Sequence, residues 1–244
     1  MPQIRSVALV TLIGCASALV AYGTSQAASP HAAAAATSSL QPVVIELYQS
    51  QGCSSCPPAN AALNAIADRG DVLALSFAVT YWDRLGWKDT FGSPGFTARQ
   101  QDYARAGRGE VATPEFIVNG TYAVVGSNRP ALEAAVARAG FASGGPAISA
   151  SASAVRVAAA TASGPATVWL VRYDPRTREV PIRAGENGGR TLPHRNIVRE
   201  LVRLGAWTGP AASFPLTAAH ETGLATAVFV QRGNGGPIVS ARKL

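Results

Sequence analysis

The stretch Val-Val-Ile-Glu-Leu-Tyr-Gln-Ser-Gln-Gly-Cys-Ser-Ser-Cys-Pro-Pro, residues 43–58, places two cysteines shortly after an apolar run. The run at 43–48 is rich in β-branched residues and predicts a buried strand. A disulfide between Cys53 and Cys56 would close so short a loop that it would stabilise the folded state by only about 2 kcal/mol, against about 4.7 kcal/mol for a loop of about a hundred residues. A C-x-x-C pair beside a βαβ pattern instead indicates thiol–disulfide chemistry, in which one sulfur attacks and the other resolves the mixed disulfide.

Outward from the cysteines, hydrophobic periodicity and turn residues predict the order β-α-β-α-β-β-α. Asn119-Gly120 favours a type I′ hairpin turn, and Asn128 can cap the last helix. The class is therefore α/β. The predicted elements are strands at 43–48, 72–79, 116–118 and 122–125, and helices at 57–68, 93–105 and 129–139.

The composition changes to Ala, Ser and Gly near residue 140, which indicates a linker or the start of a second module. Beyond it, short runs bounded by Gly, Pro, Asn and Asp predict a β-rich region at 147–244. Residues 195–204 fit an amphipathic helix because their arginines recur every four residues, but the neighbouring segments favour strands. The Gly-rich run at 185–190 lacks the context of a phosphate loop and is predicted to be an ordinary loop. The strands predicted here are at 168–173, 180–183, 225–231 and 238–241, with a hairpin turn at 233–236.

The N-terminal residues are expected to precede the fold. An early Arg, the apolar stretch at 6–21 and Ser25-Gln26-Ala27 are typical of a signal peptide at 1–27, which a flexible leader follows at 28–41. We therefore expect a periplasmic or secreted protein, without stable membrane insertion after cleavage, because spanning a bilayer takes about 20 apolar residues. Leu12-Ile13-Gly14-Cys15 resembles a lipobox, so a lipoprotein anchored through Cys15 is the alternative.

Charge and composition narrow the class of partner. The formal net charge is +7, but the basic residues are dispersed and no nucleic-acid-binding module is recognisable. Nucleic acid is therefore not an expected partner. With 48% hydrophobic and 14% charged residues, the chain has enough apolar material for one large domain or two of ordinary size.

The element order, with C-x-x-C at the first strand-to-helix junction, resembles the thioredoxin superfamily. Thr113-Pro114-Glu115-Phe116-Ile117-Val118-Asn119-Gly120 is similar to the T-P-x-F-x-x-N-G of disulfide-bond-forming thioredoxin relatives. Several further blocks resemble the exported bacterial family named domain of unknown function 1223. The resemblance implies a thioredoxin-like domain at 42–140, a β-rich C-terminal region and a dithiol without an established substrate. The blocks are 51–58, Tyr81-Trp82-Asp83, 85–89, Ser93-Pro94 and Gly185-Glu186-Asn187-Gly188-Gly189-Arg190.

The resemblance also implies roles at the site. Cys53 would be the nucleophile and the more exposed cysteine, with Cys56 as the resolving cysteine and a redox disulfide between them. Pro114 would be cis and face the sulfurs, and Thr113 beside it would contact an extended substrate. Pro57 and the proline after it suit only the first turn of a helix, which shifts the helix start away from Cys53 and weakens its stabilisation.

Three other residues have competing interpretations. Glu46 is the one acid in the first strand; it either accepts the proton of the resolving thiol, as the resemblance to thioredoxins implies, or pairs with a basic side chain. Trp82 and Trp87 belong to the densest aromatic and charged cluster of the chain. They form either a wall of the substrate groove beside Cys53 or part of the core.

The leading hypothesis is an exported thiol–disulfide oxidoreductase acting through Cys53 and Cys56 on a protein or small-molecule thiol or disulfide, in a direction the sequence leaves open. No cofactor and no resident metal are expected. The alternative is a metallochaperone whose two thiolates hold a soft ion such as Cu(I), although the histidines, His31, His194 and His220, lie far from the motif in sequence. A third hypothesis is a binding protein whose C-terminal region recruits a partner.

Overall fold

The computed structural model describes residues 41–140 and 145–244, besides Pro2. These two ranges belong to one compact unit. The predicted signal peptide, the leader up to residue 40 and the lipobox cysteine Cys15 lie outside the described residues. The helices are α1 (Pro57–Ile66), α2 (Pro94–Arg105) and α3 (Arg129–Ala139), with a short 3-10 helix at Asp83–Leu85.

The first half follows the predicted order. Its strands are β1 (Val43–Gln49), β2 (Val72–Ala78), β3 (Glu115–Val118) and β4 (Tyr122–Val125). Every residue of β1 and β2 is buried, in keeping with their nearly continuous apolar character, since parallel strands covered on both faces need no polar side. The second half contains β5 (Ile148–Ala150), β6 (Ala154–Val157), β7 (Ala166–Asp174), β8 (Arg178–Pro181), β9 (Thr191–His194), β10 (Ile197–Trp207), β11 (Ala212–Pro215), β12 (Ala225–Arg232) and β13 (Ile238–Lys243).

Local signals placed the turns and caps correctly. Asn119 and Gly120 both have positive φ, 47° and 62°, as a type I′ turn requires. Asn128 accepts a hydrogen bond from the Ala131 amide at 3.0 Å and caps α3. Ser93 caps α2 in the same way, accepting from the Gly95 amide at 3.2 Å.

One mixed sheet of eight strands crosses both halves, in the order β13-β12-β7-β10-β2-β1-β3-β4. Strands β1 and β2 are parallel, β3 is antiparallel to β1, and β4 is antiparallel to β3. The C-terminal strands join this sheet where β10 pairs in parallel with β2 through Ile197 and Ser76. The α/β class with a β-rich C-terminal part is thus confirmed. Two smaller sheets complete the described fold, one of β11, β6 and β5 and one of β8 and β9.

The ambiguous segment at 195–204 lies mostly within strand β10, so its helical interpretation was wrong. β10 pairs with β7 from Ile197 opposite Asp174 to Trp207 opposite Ala166, with two register shifts along the way. Hydrogen bonding to a long neighbouring strand outweighs the weak preference that the spacing of the arginines has for a helix.

The two faces of β1 bury different helices. Val44, Glu46 and Tyr48 alternate with Val43, Ile45 and Leu47, because successive side chains of a strand point to opposite faces. The first face packs on α2, through Phe96 and Tyr103, and the second on α1 and α3, through Leu63 and Leu132. Helix α1, which follows the cysteines, therefore lies across the sheet from α2.

Candidate functional site

The two cysteines lie in the turn between β1 and α1 and form a disulfide. The Cys53 amide donates to Ser50 O at 3.1 Å, and the Cys56 amide donates to Cys53 O at 3.2 Å. Cys56 is the N-cap residue of α1, and Pro57 is the first helical residue. Cys53 therefore precedes the regular helix, as the two prolines predicted.

Both cysteines are 0% exposed, while Ser54 and Ser55 between them are exposed. The expected greater exposure of Cys53 is thus not seen in the disulfide form. The Ser55 hydroxyl lies 3.3 Å from Cys53 Sγ and can donate to it. On the other side, the carbonyl oxygen of Thr113 lies 3.8 Å from the same sulfur.

The segment that faces the disulfide is held by its neighbours. The Thr113–Pro114 bond is cis, as expected. Trp82 Nε1 donates to Thr113 Oγ1 at 2.7 Å, and the Gly126 amide donates to Pro114 O at 2.9 Å. A Cβ at Gly126 would collide with the Pro114 ring, so the absence of a side chain allows this close approach. Trp82 is therefore a support of Thr113.

Trp87 supports the other side of the turn. It is half-buried against an apolar cluster that includes Ile182. Its Nε1 donates to Gln51 Oε1 at 2.9 Å, and Gln51 Nε2 donates to Thr90 Oγ1 at 2.9 Å. Each tryptophan thus combines ring packing with a specific hydrogen bond to a segment that contacts the cysteines.

Asp89 lies beside the turn and is 2% exposed. Its carboxylate accepts from the Gln51 amide at 2.7 Å and from the Phe91 amide at 2.9 Å. Burial raises the pKa of Asp89 to about 6, although these backbone hydrogen bonds act in the opposite direction. A carboxyl that titrates near neutral pH therefore holds the residue two positions before Cys53.

The loop at 185–190, between β8 and β9, contacts the turn directly. Asn187 is 0% exposed, and its Nδ2 donates to Gln51 O at 2.9 Å and to Cys53 O at 2.8 Å. Arg190 Nη1 donates to Asn187 Oδ1 at 2.7 Å, and the Glu186 carboxylate accepts from the Ser54 amide at 3.0 Å. Sequence reasoning assigned these residues no role. The available signal was their occurrence as a compact block in the same family resemblance as residues 51–58.

The family described as "Protein of unknown function (DUF1223)" matches residues 44–231. The chain belongs to this family. A crystal structure of a protein from Agrobacterium tumefaciens is 31% identical, with a TM-score of 0.68, over 83% of this chain and 93% of that chain. HBP35 of Porphyromonas gingivalis shares the fold at 12% identity, with a TM-score of 0.55, over 84% of this chain and 74% of that chain. Among curated proteins, none matches the chain.

In this DUF1223 chain, Glu46 pairs with a basic side chain. Arg99 Nε and Nη2 donate to its carboxylate at 2.6 and 2.8 Å, and the hydroxyls of Tyr48 and Tyr103 donate at 2.8 and 2.7 Å. Burial raises the pKa values of both tyrosines well above their ordinary range, so the hydroxyls stay protonated as donors. Within the described ranges, no hydrogen bond joins Glu46 to Cys56, whose helix packs on the opposite face of the sheet. We assign Glu46 no role in the dithiol chemistry.

The described residues also bear on metal binding and membrane insertion. They contain no group of three His, Cys, Asp or Glu side chains placed to hold a metal ion. His194 is buried, and burial lowers its pKa to about 4, while His220 is exposed. None of the described helices is long and apolar enough to cross a membrane.

Proposed function

We propose that this DUF1223 protein is an exported thiol–disulfide oxidoreductase that acts through Cys53 and Cys56. The observation that carries the proposal is a disulfide set between a buried strand and a helix, with the Thr113 carbonyl 3.8 Å from Cys53 Sγ. A bridge across so short a loop stabilises the fold little, so packing alone gives little reason for it. Trp82, Asn187 and the buried Asp89 hold the cysteine turn and the segment facing it through hydrogen bonds, as expected for a turn whose geometry must be fixed for catalysis.

The fold supports the same conclusion. Strands β2, β1, β3 and β4 lie side by side in that order, and β3 runs opposite to the other three. Helices α1 and α3 cover one face and α2 covers the other. The resemblance to thioredoxins implies this arrangement, and it implies a C-x-x-C at the N-terminus of α1. We therefore propose a thioredoxin-like domain that the C-terminal strands extend.

The chemistry follows from two adjacent sulfurs. In the reducing direction, the Cys53 thiolate attacks one sulfur of a substrate disulfide, forms a mixed disulfide and releases the other substrate sulfur as a thiolate. The Cys56 sulfur then attacks Cys53 Sγ, which restores the Cys53–Cys56 disulfide and frees the second substrate thiol. Two electrons pass to the substrate, and the protons end on its two thiols. The reverse sequence oxidises a substrate dithiol.

The surface around the turn favours a polypeptide as the substrate. Four large apolar side chains are exposed among the described residues: Leu85, Val111, Val125 and Leu244. The first three lie on segments next to the site. Leu85 is in the 3-10 helix after Trp82, Val111 precedes Thr113, and Val125 adjoins Gly126, which bonds Pro114. Exposed apolar side chains on the segments that flank the cysteine turn support a polypeptide as the substrate.

The test is exchange with glutathione. We expect the purified protein to equilibrate with glutathione redox buffers and the Cys56→Ser variant to trap a mixed disulfide through Cys53. The Cys53→Ser/Cys56→Ser variant is the matched control and should trap nothing. A protein that neither equilibrates nor traps would overturn the proposal. Stoichiometric Cu(I) binding by such an inactive protein would favour the metallochaperone alternative.

Export is tested separately. The pattern at residues 1–27 supports it, and the mature protein should be recovered from the periplasm or the medium with an N-terminus near residue 28. Recovery of the full-length chain from the cytoplasm would contradict export. Labelling of Cys15 by a fatty acid would favour the lipoprotein alternative.

A further inference from the structure

The carboxylate of Glu186 is held against the dithiol turn. It accepts a hydrogen bond from the Ser54 amide at 3.0 Å, and both residues are exposed. Its neighbour Asn187 is buried and donates to Cys53 O at 2.8 Å, so the backbone that carries Glu186 is anchored to the motif itself. Gly185 has φ +72° and lies against Trp87, which fixes the loop on its other side. Glu186 is therefore positioned by three separate contacts.

This placement matters because amide groups at the start of a helix usually stabilise the thiolate of a C-x-x-C motif. Here the amide of Cys53 donates to Ser50 O, that of Cys56 donates to Cys53 O, and that of Ser54 donates to Glu186. The next two residues are prolines, which have no N–H. Of the amides in the Cys53–Cys56 motif, that of Ser55 alone is not engaged in these bonds, so the reduced Cys53 sulfur has few amide donors, and the negative charge of Glu186 is hydrogen-bonded to the adjacent residue Ser54.

Two of the other charged groups near the turn are engaged in hydrogen bonds. Asp89 accepts from the Gln51 and Phe91 amides, and Arg190 donates to the Asn187 side chain. Lys88 is exposed on the segment that carries Trp87. Among the hydrogen bonds of the described residues, Glu186 is the one acid bonded to a residue of the Cys53–Cys56 motif.

We propose that Glu186 is a positioning residue whose charge destabilises the reduced dithiol and thereby makes the protein a better reductant. The inference rests on the proposed function. A thiolate at Cys53 and the Glu186 carboxylate repel each other, whereas the disulfide carries no charge and is not affected. The repulsion therefore favours loss of two electrons from the dithiol. In glutathione buffer, those electrons reduce one glutathione disulfide to two glutathione thiols, and the Cys53–Cys56 bond forms.

The test compares Glu186→Gln with wild type in the full exported chain. Glutamine retains an oxygen that can accept from the Ser54 amide but removes the charge. We expect the equilibrium constant for oxidation of the dithiol by glutathione disulfide to fall about threefold or more, as for a unit charge acting across a solvated surface. The pH midpoint for alkylation of Cys53 should fall as well. The difference from wild type should shrink in 1 M salt, because the Debye length then falls to about 3 Å and the repulsion is screened.

Two matched variants separate charge from other effects. Glu179→Gln, at an exposed position of β8, should leave the equilibrium constant unchanged. Glu186→Lys should shift it further than Glu186→Gln and in the same direction. If wild type exchanges with glutathione but Glu186→Gln has the same constant or a larger one, the role of Glu186 is wrong and the oxidoreductase stands. If wild type does not exchange at all, both proposals fail.

Discussion

Replacing Asn187 by alanine should lower the free energy of unfolding by about 2–4 kcal/mol, although this residue lies in a loop far in sequence from the cysteines. The side chain is 0% exposed and makes three hydrogen bonds. It donates to Gln51 O and Cys53 O and accepts from Arg190. Alanine would remove the donor that both carbonyls share.

The magnitude follows from those two carbonyls. A buried polar group left without a partner costs about 1–3 kcal/mol, which applies to Gln51 O. Cys53 O keeps the Cys56 amide as a donor, so losing one of its two hydrogen bonds adds about 1 kcal/mol. The Arg190 side chain is exposed and can hydrogen-bond to water instead, so the loss of its hydrogen bond to Asn187 adds little to the cost. Asn187→Asp should be at least as damaging as alanine, because a carboxylate oxygen would then face carbonyl oxygens now 2.8 and 2.9 Å from the amide nitrogen.

The assay is urea unfolding of the oxidised protein, followed by tryptophan fluorescence and analysed by linear extrapolation. Asn234→Ala, at an exposed position in the turn between β12 and β13, is the control and should change stability by less than about 0.5 kcal/mol. A loss below about 1 kcal/mol for Asn187→Ala, with an unchanged m-value, would refute the view that this loop clamps the turn.

Three further outcomes are expected. Arg99→Met should lower the free energy of unfolding by about 3–5 kcal/mol, because it leaves the buried Glu46 carboxylate without its basic partner. The double variant Glu46→Leu/Arg99→Met should lose clearly less stability than the sum of the two single variants. Additive losses in urea unfolding would contradict a coupled pair. The pKa of Asp89, raised to about 6, means that the folded protein takes up its proton more readily than the unfolded chain. The resulting stabilisation is complete below about pH 4 and is lost as the pH rises through 6. The loss amounts to about 3 kcal/mol, because each unit of pKa difference corresponds to about 1.4 kcal/mol. An Asp89→Asn variant that kept the wild-type pH profile of stability would exclude this role. Trp82→Phe should lower the free energy of unfolding by about 1 kcal/mol, because it removes the hydrogen bond to Thr113. Adding Thr113→Val to this variant should then lower it little further; a second loss of about 1 kcal/mol would show that the hydrogen bond contributes nothing to stability.

Local sequence determined those features of this protein that depend on neighbouring residues. The apolar run before Cys53 placed β1, because a nearly continuous apolar run rich in β-branched residues suits a strand buried on both faces. Asn119-Gly120 and Asn128 placed a turn and a cap through conformational and hydrogen-bonding preferences that act within a few residues. The prolines after Cys56 likewise placed the start of α1.

Tertiary structure alone decided the surroundings of the dithiol. Period-2 alternation put Glu46 on one face of β1, but only the packing of α1 on the other face separated it from Cys56. Asn187 reaches the Cys53 carbonyl from a loop 134 residues later, and no local preference encodes a contact at that separation. β10 is a strand because the long neighbouring strand β7 provides backbone hydrogen bonds, and the helical periodicity of the sequence does not predict this pairing. Sequence therefore located the two cysteines, and packing over long separations determined which charges and donors surround them.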